Sequence, residues 1–155
     1  MSEAAVILSS KLNDADPAPL AGSVLIIDDE AEIRESLQTL LEMEGYEVET
    51  AATGQQGLNR IGQRAFDLIL LDLALPDRNG LDILADMHTQ DPGLSVIMIT
   101  AYGTVENAVK AMQSGAANFI QKPWDNEKLL ADVRAAVARH RAEEENIQLL
   151  SLIHI

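Results

Sequence analysis

The chain has 155 residues, and 25 acidic against 11 basic side chains give it a formal net charge of −14. Its length suits one domain with some additional chain, and 47% hydrophobic residues are enough for a buried core, which excludes global disorder. The negative charge repels phosphate backbones and anionic lipids, and no apolar run approaches the roughly 18 residues that span a bilayer. We therefore expect no nucleic acid or membrane binding by this chain. The absence of cysteine and of a secretory signal favours a soluble, cytoplasmic protein.

Composition divides the chain into three parts. Residues 1–22 predict a flexible tail, because the stretch 13–19 is rich in charges and prolines. Residues 23–140 predict the folded domain. Residues 141–155 predict a helical extension.

From Ser23 onward, short apolar runs alternate with segments of helical spacing. The apolar runs predict strands over residues 24–27, 68–71 and 96–99. Weak alternation predicts an edge strand over residues 46–51, and a last strand is predicted over residues 117–121. The helical spacing covers residues 33–41, 55–63, 81–88 and 105–112, followed by a last helix from about 125 to beyond 141. Five strand–helix units in series predict an α/β fold, in which a doubly wound parallel sheet of five strands lies between two helical layers.

Ligands of such sheets bind outside the carboxyl ends of the strands. With the order 2-1-3-4-5 of flavodoxin-like sandwiches, strands one, three and four are neighbours, so the residues that follow them converge. The polar residues that follow the strands are Asp28, Asp29 and Glu30 after strand one, Asp72 after strand three, Thr100 after strand four, and Lys122 after strand five.

Clustered carboxylates repel one another unless a cation joins them, and oxygen ligands without histidine or cysteine favour Mg²⁺. Lys122 and Thr100 supply an ammonium group and a hydroxyl for phosphate oxygens. A carboxylate is itself a nucleophile that can form an aspartyl phosphate, and Asp72 is the best candidate. Asp28 and Asp29 would then hold the metal.

Each of these residues also has a structural explanation when taken singly. Asp28 and Asp29 could be favourable acids at a helix start, Asp72 could cap a loop, and Lys122 could be an ordinary surface lysine. Capping does not require all of them at one end of the same sheet, so the combination favours a site for a metal ion and a phosphoryl group.

Five segments of the chain resemble the receiver domain of response regulators. They are the residues 26–30 (IIDDE), 70–76 (LLDLALP), 79–80 (NG), 99–103 (ITAYG) and 119–123 (FIQKP), within a resemblance that runs from about 24 to 140. The residues 100–103 (TAYG) and 122–124 (KPW) are most similar to the nitrogen-regulation subfamily of sigma-54 activators. Receivers of that subfamily usually precede an ATPase domain and a DNA-binding domain. Because this chain has no phosphate-binding loop of the form GxxxxGK[ST], we expect a single-domain receiver or a fragment of a longer regulator.

The resemblance implies a role for each matching residue. Asp72 would accept a phosphoryl group from the phosphohistidine of a sensor histidine kinase. Asp28, Asp29, Asp72 and the backbone carbonyl of Ala74 would hold Mg²⁺. The phosphoryl group would contact Thr100 and Lys122, and the aromatic ring that reorients with the threonine on activation would be Phe119.

Three functions compete for this site. The leading one is a phosphorylation switch that controls an output domain in transcription regulation, with no enzymatic activity beyond phosphoryl acceptance on itself and slow autodephosphorylation. The second is an interaction module that is independent of phosphorylation, although such modules usually lose one of the acids or the lysine. The third is an aspartate-nucleophile phosphohydrolase, which typically has an acid two residues after the nucleophile, where this chain has Ala74.

The C-terminal extension has two interpretations. Glu143, Glu144 and Glu145 precede apolar residues from Ile147 onward, which is typical either of a linker helix or of a solvated acidic helix with a frayed end. A homodimer would form through this helix or through a face of the receiver. The three histidines, His88, His140 and His154, have no metal-ligand spacing and are predicted to be surface residues.

Overall fold

Strands and helices alternate along residues 21–153, the part of the chain that the computed structural model describes. The strands are β1 (Gly22–Ile27), β2 (Tyr46–Ala51), β3 (Leu68–Leu71), β4 (Val96–Thr100) and β5 (Asn118–Gln121). The helices are α1 (Ala31–Met43), α2 (Gly54–Gln63), α3 (Gly80–Gln90), α4 (Val105–Gln113) and α5 (Asn126–Ile153). Of the tail predicted over residues 1–22, residues 1–20 lie outside the described residues, whereas Gly22 belongs to β1.

The five strands form one parallel sheet in the order β2-β1-β3-β4-β5, which confirms the predicted fold class. In the register of the central strands, Ile27 lies opposite both Ala51 of β2 and Leu71 of β3. The edge strand β2, which alternates only weakly in the sequence, has the predicted bounds. Parallel strands with a common register end at the same edge of the sheet, and this places the residues that follow them side by side.

Side chains alternate between two apolar cores, one on each face of the sheet. Leu25 and Ile27 of β1 belong to the core that also contains Ile83 of α3, together with residues of α2 and α4. Val24 and Ile26 belong to the core on the opposite face, which α1 and α5 cover. The apolar residues of β1, β3 and β4 are buried on both faces, as the continuous apolar sequences of these strands predict, whereas the edge strands β2 and β5 are mostly half-buried.

The apolar stripe of helix α4 is largely exposed. Val105, Val109 and Met112 are 82%, 47% and 48% exposed, and the buried residue of this helix is Ala111. Helical spacing identifies an apolar face but not whether another element covers it. In this fold α4 approaches the sheet through a small side chain, so its larger apolar residues face solvent.

The prediction that His140 is a surface residue is wrong. It belongs to α5, its side chain is buried, and its Nδ1 lies 3.2 Å from Oδ1 of Asp67, just before β3. Asp67 also accepts a hydrogen bond from the backbone N–H of Ser23. The sequence does not reveal this contact because His140 follows Asp67 by 73 residues. His88 is half-buried, with its Nε2 3.0 Å from the carbonyl oxygen of Leu94, and His154 lies outside the described residues.

Helix α5 extends beyond the two cores. It has 28 residues, which corresponds to about 42 Å at roughly 1.5 Å per residue. Residues 141–150 are all exposed. Within the described part of the chain, no helix combines the length and the apolar character that crossing a membrane requires.

Candidate functional site

Two aspartates lie side by side at the carboxyl edge of the sheet. Asp28 follows β1 and Asp72 follows β3, and the pairing of Ile27 with Leu71 brings them together. Their backbone N–H groups continue the sheet, since that of Asp28 donates to the Ala51 carbonyl at 3.1 Å and that of Asp72 to the Ile27 carbonyl at 3.0 Å. Both side chains are buried. The sheet itself therefore fixes the positions of these two carboxylates.

A buried lysine joins the two carboxylates. The Nζ of Lys122 lies 2.6 Å from Oδ2 of Asp28, 3.1 Å from Oδ2 of Asp72 and 3.6 Å from Oε1 of Glu30. Its own backbone N–H donates to the carbonyl of Thr100 at 2.9 Å, and the peptide bond that follows, to Pro123, is cis. The ammonium group lies between the aspartates, as the order of residues at the strand ends predicts.

Burial and neighbouring charges shift the pKa values of Asp28 and Lys122. Burial raises the pKa of the Asp28 carboxyl above its ordinary value, and the neighbouring charge of Asp72 adds to the rise, while hydrogen bonds from Lys122 and the Glu30 N–H oppose it. For Lys122, burial acts to lower the pKa, but the hydrogen bond to Asp28 and the charge of Asp72 outweigh it and raise the pKa. The lysine therefore stays charged at neutral pH.

The site has more negative than positive charge. Carboxylate oxygens of Asp28, Asp29, Glu30 and Asp72 all lie within 4.8 Å of one another. Asp29 and Glu30 are exposed, so these oxygens reach from the buried edge of the sheet to solvent. Hard oxygen donors with excess negative charge, open to water on one side, fit Mg²⁺. Glu30 is absent from the predicted ligand set, although its place directly after Asp29 is a signal for it.

The loop between β3 and α3 brings Ala74 to the site. The backbone N–H of Ala74 donates to Oδ1 of Asp72 at 3.2 Å. An antiparallel bridge between Ala74 and Asn79 closes the loop, and the N–H of Gly80 donates to the Leu73 carbonyl at 2.7 Å. The main chain of Ala74 is therefore held beside the aspartate that we predict to be the phosphoryl acceptor.

The two residues with a predicted role in switching lie on β4 and β5. Thr100 ends β4, is fully buried, and accepts a hydrogen bond at its Oγ1 from the Tyr102 N–H at 3.2 Å. Phe119 of β5 pairs with Met98 and packs, half-buried, against the core that contains Met98. The structure thus places Thr100 at the same edge of the sheet as Asp28, and Phe119 in the adjacent core.

An open groove of about 620 Å³ leads from solvent to Lys122. One wall is α1, with Ile33 and Leu40, and the other is the segment after β5, with Trp124. Glu30 also lines this groove. The groove beside the carboxylates is therefore lined by both apolar and charged side chains.

Comparison with known proteins places this geometry in a family. Residues 24–134 match the response regulator receiver domain. The alginate biosynthesis transcriptional regulatory protein AlgB of Pseudomonas aeruginosa is 40% identical over 133 residues, which cover 82% of this chain and 30% of AlgB. A putative response regulator, NtrX-like, of Rickettsia bellii is 35% identical over 132 residues, which cover 84% of this chain and 28% of the relative. The chain thus spans about 30% of the length of these curated relatives.

Solved structures share the fold. A response regulator receiver domain protein (CheY-like) from Methanospirillum hungatei JF-1 matches with a TM-score of 0.76 and 38% identity, covering 81% of this chain and 99% of that one. NtrX from Brucella abortus, in complex with ADP, matches with a TM-score of 0.77 and 35% identity, covering 84% of this chain and 29% of that one. The similarity to NtrX and AlgB agrees with the resemblance to the nitrogen-regulation subfamily. This chain belongs to the response regulator receiver domain family of two-component signalling.

Proposed function

We propose that Asp72 accepts a phosphoryl group and that this modification switches the domain. The observation that carries the proposal is the buried pairing of Asp72 with Asp28 through Lys122, with Nζ–Oδ2 distances of 3.1 and 2.6 Å. Desolvation opposes the burial of all three charges, and the single ammonium group of Lys122 offsets only one of the two carboxylate charges, which leaves negative charge for a cation. Exposed carboxylates of Asp29 and Glu30 extend the site toward an incoming group.

In the proposed step, a carboxylate oxygen of Asp72 attacks the phosphorus of a phosphohistidine. An O–P bond forms, the N–P bond breaks, and its electron pair returns to the imidazole nitrogen, which takes up a proton. Lys122, whose raised pKa keeps it charged, stabilises the phosphoryl oxygens. Asp28, Asp29, Asp72 and the carbonyl of Ala74 would hold Mg²⁺, which offsets the charge between carboxylate and phosphoryl oxygens when it is bound.

Switching follows from the position of Thr100. We propose that the hydroxyl of Thr100 bonds to the phosphoryl group and leaves the Tyr102 N–H, with which it is paired at 3.2 Å. This movement would give Phe119 room to reorient. A covalent ligand would thereby bias two conformations of the β4–β5 region.

The partner that supplies the phosphoryl group is a sensor histidine kinase. Support comes from the groove beside Lys122, since its apolar residues Ile33, Leu40 and Trp124 offer a docking surface next to the carboxylates. The phosphohistidine of such a kinase forms by phosphoryl transfer from ATP, which is a cytoplasmic nucleotide. We therefore propose that this chain is located in the cytoplasm. Loss of the phosphoryl group by slow hydrolysis is the other reaction we assign to the domain, and it takes place on the chain itself.

We propose that residues 23–140 form the receiver and that 141–155 link it to an output function in transcription regulation. AlgB is a transcriptional regulatory protein, and this chain spans 30% of its length. The net charge of −14 argues that the chain does not bind nucleic acid directly. The exposed residues Ile147, Leu149 and Leu150 make the C-terminal helix the favoured surface for a homodimer.

Labelling with acetyl phosphate or BeF₃⁻ in the presence of Mg²⁺ tests the assignment of Asp72. We expect the wild-type chain and Asp91→Asn, which alters an exposed aspartate after α3, to be labelled equally, as measured by intact mass and ¹⁹F NMR. Asp72→Asn should not be labelled, because its amide is not nucleophilic. Labelling of Asp72→Asn would show that the assignment is wrong, and a wild-type chain that binds no Mg²⁺ at millimolar concentration would favour a module that is independent of phosphorylation.

A further inference from the structure

The carboxylate of Asp77 joins the loop after β3 to the start of α2. Its Oδ1 accepts a hydrogen bond from the Gly54 N–H and its Oδ2 from the Gln55 N–H, both at 2.9 Å. These amides belong to the first turn of the helix, where N–H groups have no partner within the helix and the helix dipole favours a negative charge. Asp77 therefore binds this helix end with both of its oxygens.

Helix α2 already has its own cap. The Oγ1 of Thr53, directly before the helix, accepts a hydrogen bond from the Gln56 N–H at 3.1 Å. Asp77 follows Gly54 by 23 residues and caps the same helix end from another segment. Its contact is thus a cross-link between two parts of the fold rather than the local cap.

The loop that Asp77 holds is the loop that carries Ala74. At its base, the Gly80 N–H donates to the Leu73 carbonyl, and Ala74 is bridged to Asn79. At its tip, the neighbouring residue Arg78 forms an ion pair with Asp86 of α3 at 2.5 Å. With both tip contacts in place, the segment from Ala74 to the tip has a defined position between α2 and α3.

We propose that Asp77 is a positioning residue for the phosphorylation site. By anchoring the loop tip to α2, it holds the main chain of Ala74, whose N–H donates to Asp72 and whose carbonyl is the proposed Mg²⁺ ligand. It thereby sets the affinity of the site for Mg²⁺ and the lifetime of the phosphoryl group on Asp72. The inference rests on the function proposed above.

A Mg²⁺ titration of the whole chain tests the role of Asp77, with the fluorescence of Trp124 as the signal. This is the one tryptophan of the chain, and it lies two residues after Lys122. The variants are Asp77→Ala, Asp77→Asn and Thr53→Ala, which removes the local cap of the same helix without touching the loop. We expect Asp77→Ala to weaken Mg²⁺ binding about tenfold, as is typical when a residue that orients a metal ligand is lost. Thr53→Ala should bind Mg²⁺ like the wild-type chain while its urea midpoint falls about as far as that of Asp77→Ala.

Asp77→Asn separates positioning from folding. Its amide retains one acceptor oxygen, so we expect an Mg²⁺ affinity between those of the wild type and Asp77→Ala. The half-life of the aspartyl phosphate should likewise lie between those of the wild type and Asp77→Ala. Equal Mg²⁺ affinities for the two Asp77 variants and Thr53→Ala would overturn the proposal. If Asp77→Ala does not fold, wild-type affinity of Asp77→Asn overturns it and weakened affinity supports it. A wild-type chain without Mg²⁺ binding would instead overturn the proposed function, and this inference with it.

Hydrogen exchange gives a second readout. Because coupling between two sites is reciprocal, Mg²⁺ binding should slow amide exchange at Gly54 and Gln55 in the wild-type chain. In Thr53→Ala the same slowing is expected, and in Asp77→Ala it should disappear. Exchange at these amides that Mg²⁺ does not change in the wild-type chain would contradict the proposed coupling.

Discussion

Position 80 requires glycine because the main chain of Asp72 and Leu73 lies too close to Gly80 for a side chain. A Cβ at this position would lie 2.3 Å from the carbonyl oxygen of Asp72 and 2.7 Å from the Cα of Leu73. Both are main-chain atoms of the loop that carries the site, so they cannot move away as a flexible side chain would. Gly62 of α2 is the opposite case, since a Cβ there would meet nothing within 4 Å.

Alanine at these two positions should therefore have opposite effects on stability. We expect Gly80→Ala to lower the free energy of unfolding by about 2 kcal/mol or more, because the added carbon forces the backbone apart next to Asp72. Gly62→Ala should raise it by about 0.5–1 kcal/mol, because alanine favours the helix. Urea unfolding measures both. Wild-type stability of Gly80→Ala would show that the loop can yield at this point.

At the scale of elements, Asp67 connects α5 to the base of the sheet. It accepts hydrogen bonds from the Ser23 N–H at 3.0 Å and from Nε of Arg141 at 3.3 Å, and its Oδ1 lies 3.2 Å from Nδ1 of His140. Burial acts to raise the pKa of its carboxyl, but the hydrogen bonds with Ser23 and His140 outweigh burial and lower the pKa. This contact fixes α5 at the point where the helix leaves the domain.

The pKa of Asp67 is lower in the folded chain than in the unfolded one. Its contribution to stability is therefore fully present above the unfolded pKa of about 4, and it is lost as the pH falls through the folded pKa. We expect Asp67→Asn to lower the free energy of unfolding at pH 7 by about 1–3 kcal/mol. The difference from the wild type should shrink below about pH 4 in urea unfolding at a series of pH values. Asp91→Asn, at an exposed turn, is the control; a difference for Asp67→Asn that stays constant with pH would contradict the assignment.

At the scale of the whole molecule, residues 141–150 of α5 are exposed and extend beyond the two cores. Ile147, Leu149 and Leu150 are more than half exposed, at 65%, 52% and 56%. Up to residue 150, His140 is the last buried residue of the helix, and Oε1 of Glu144 lies 3.5 Å from its Nε2. We therefore expect that changes in the helical extension leave the stability and Mg²⁺ affinity of the receiver unchanged.

A chain that ends at Glu145 tests this separation. It keeps Glu144 beside His140. Of the residues that it removes, 146–150 are all exposed. We expect its free energy of unfolding and its Mg²⁺ affinity to match the full chain within about 0.5 kcal/mol, as for surface changes. Self-association of the full chain, measured by sedimentation equilibrium, should be lost. Equal molar masses for the two chains would rule out the helix as the dimer surface.

Much of the fold and the charged site could be predicted from the sequence. The strands over residues 46–51 and 68–71 have the predicted bounds, because weak alternation in the first and a continuous apolar run in the second are local signals. Asp28, Asp72 and Lys122 are brought together as predicted, because parallel strands end at one edge of the sheet. The roles of Thr100 and Phe119 in switching stay predictions.

The sequence by itself determined the order of the elements and the set of residues at the strand ends, since both depend on periodicity and on the direction of parallel strands. Only the tertiary structure decided which residues meet across long separations, as Asp77 does with α2 and Asp67 with His140. It also decided that the apolar side of α4 faces solvent. The physical reason is that a side chain's own segment specifies its chemistry and its direction, whereas its partner and its burial depend on how distant segments pack.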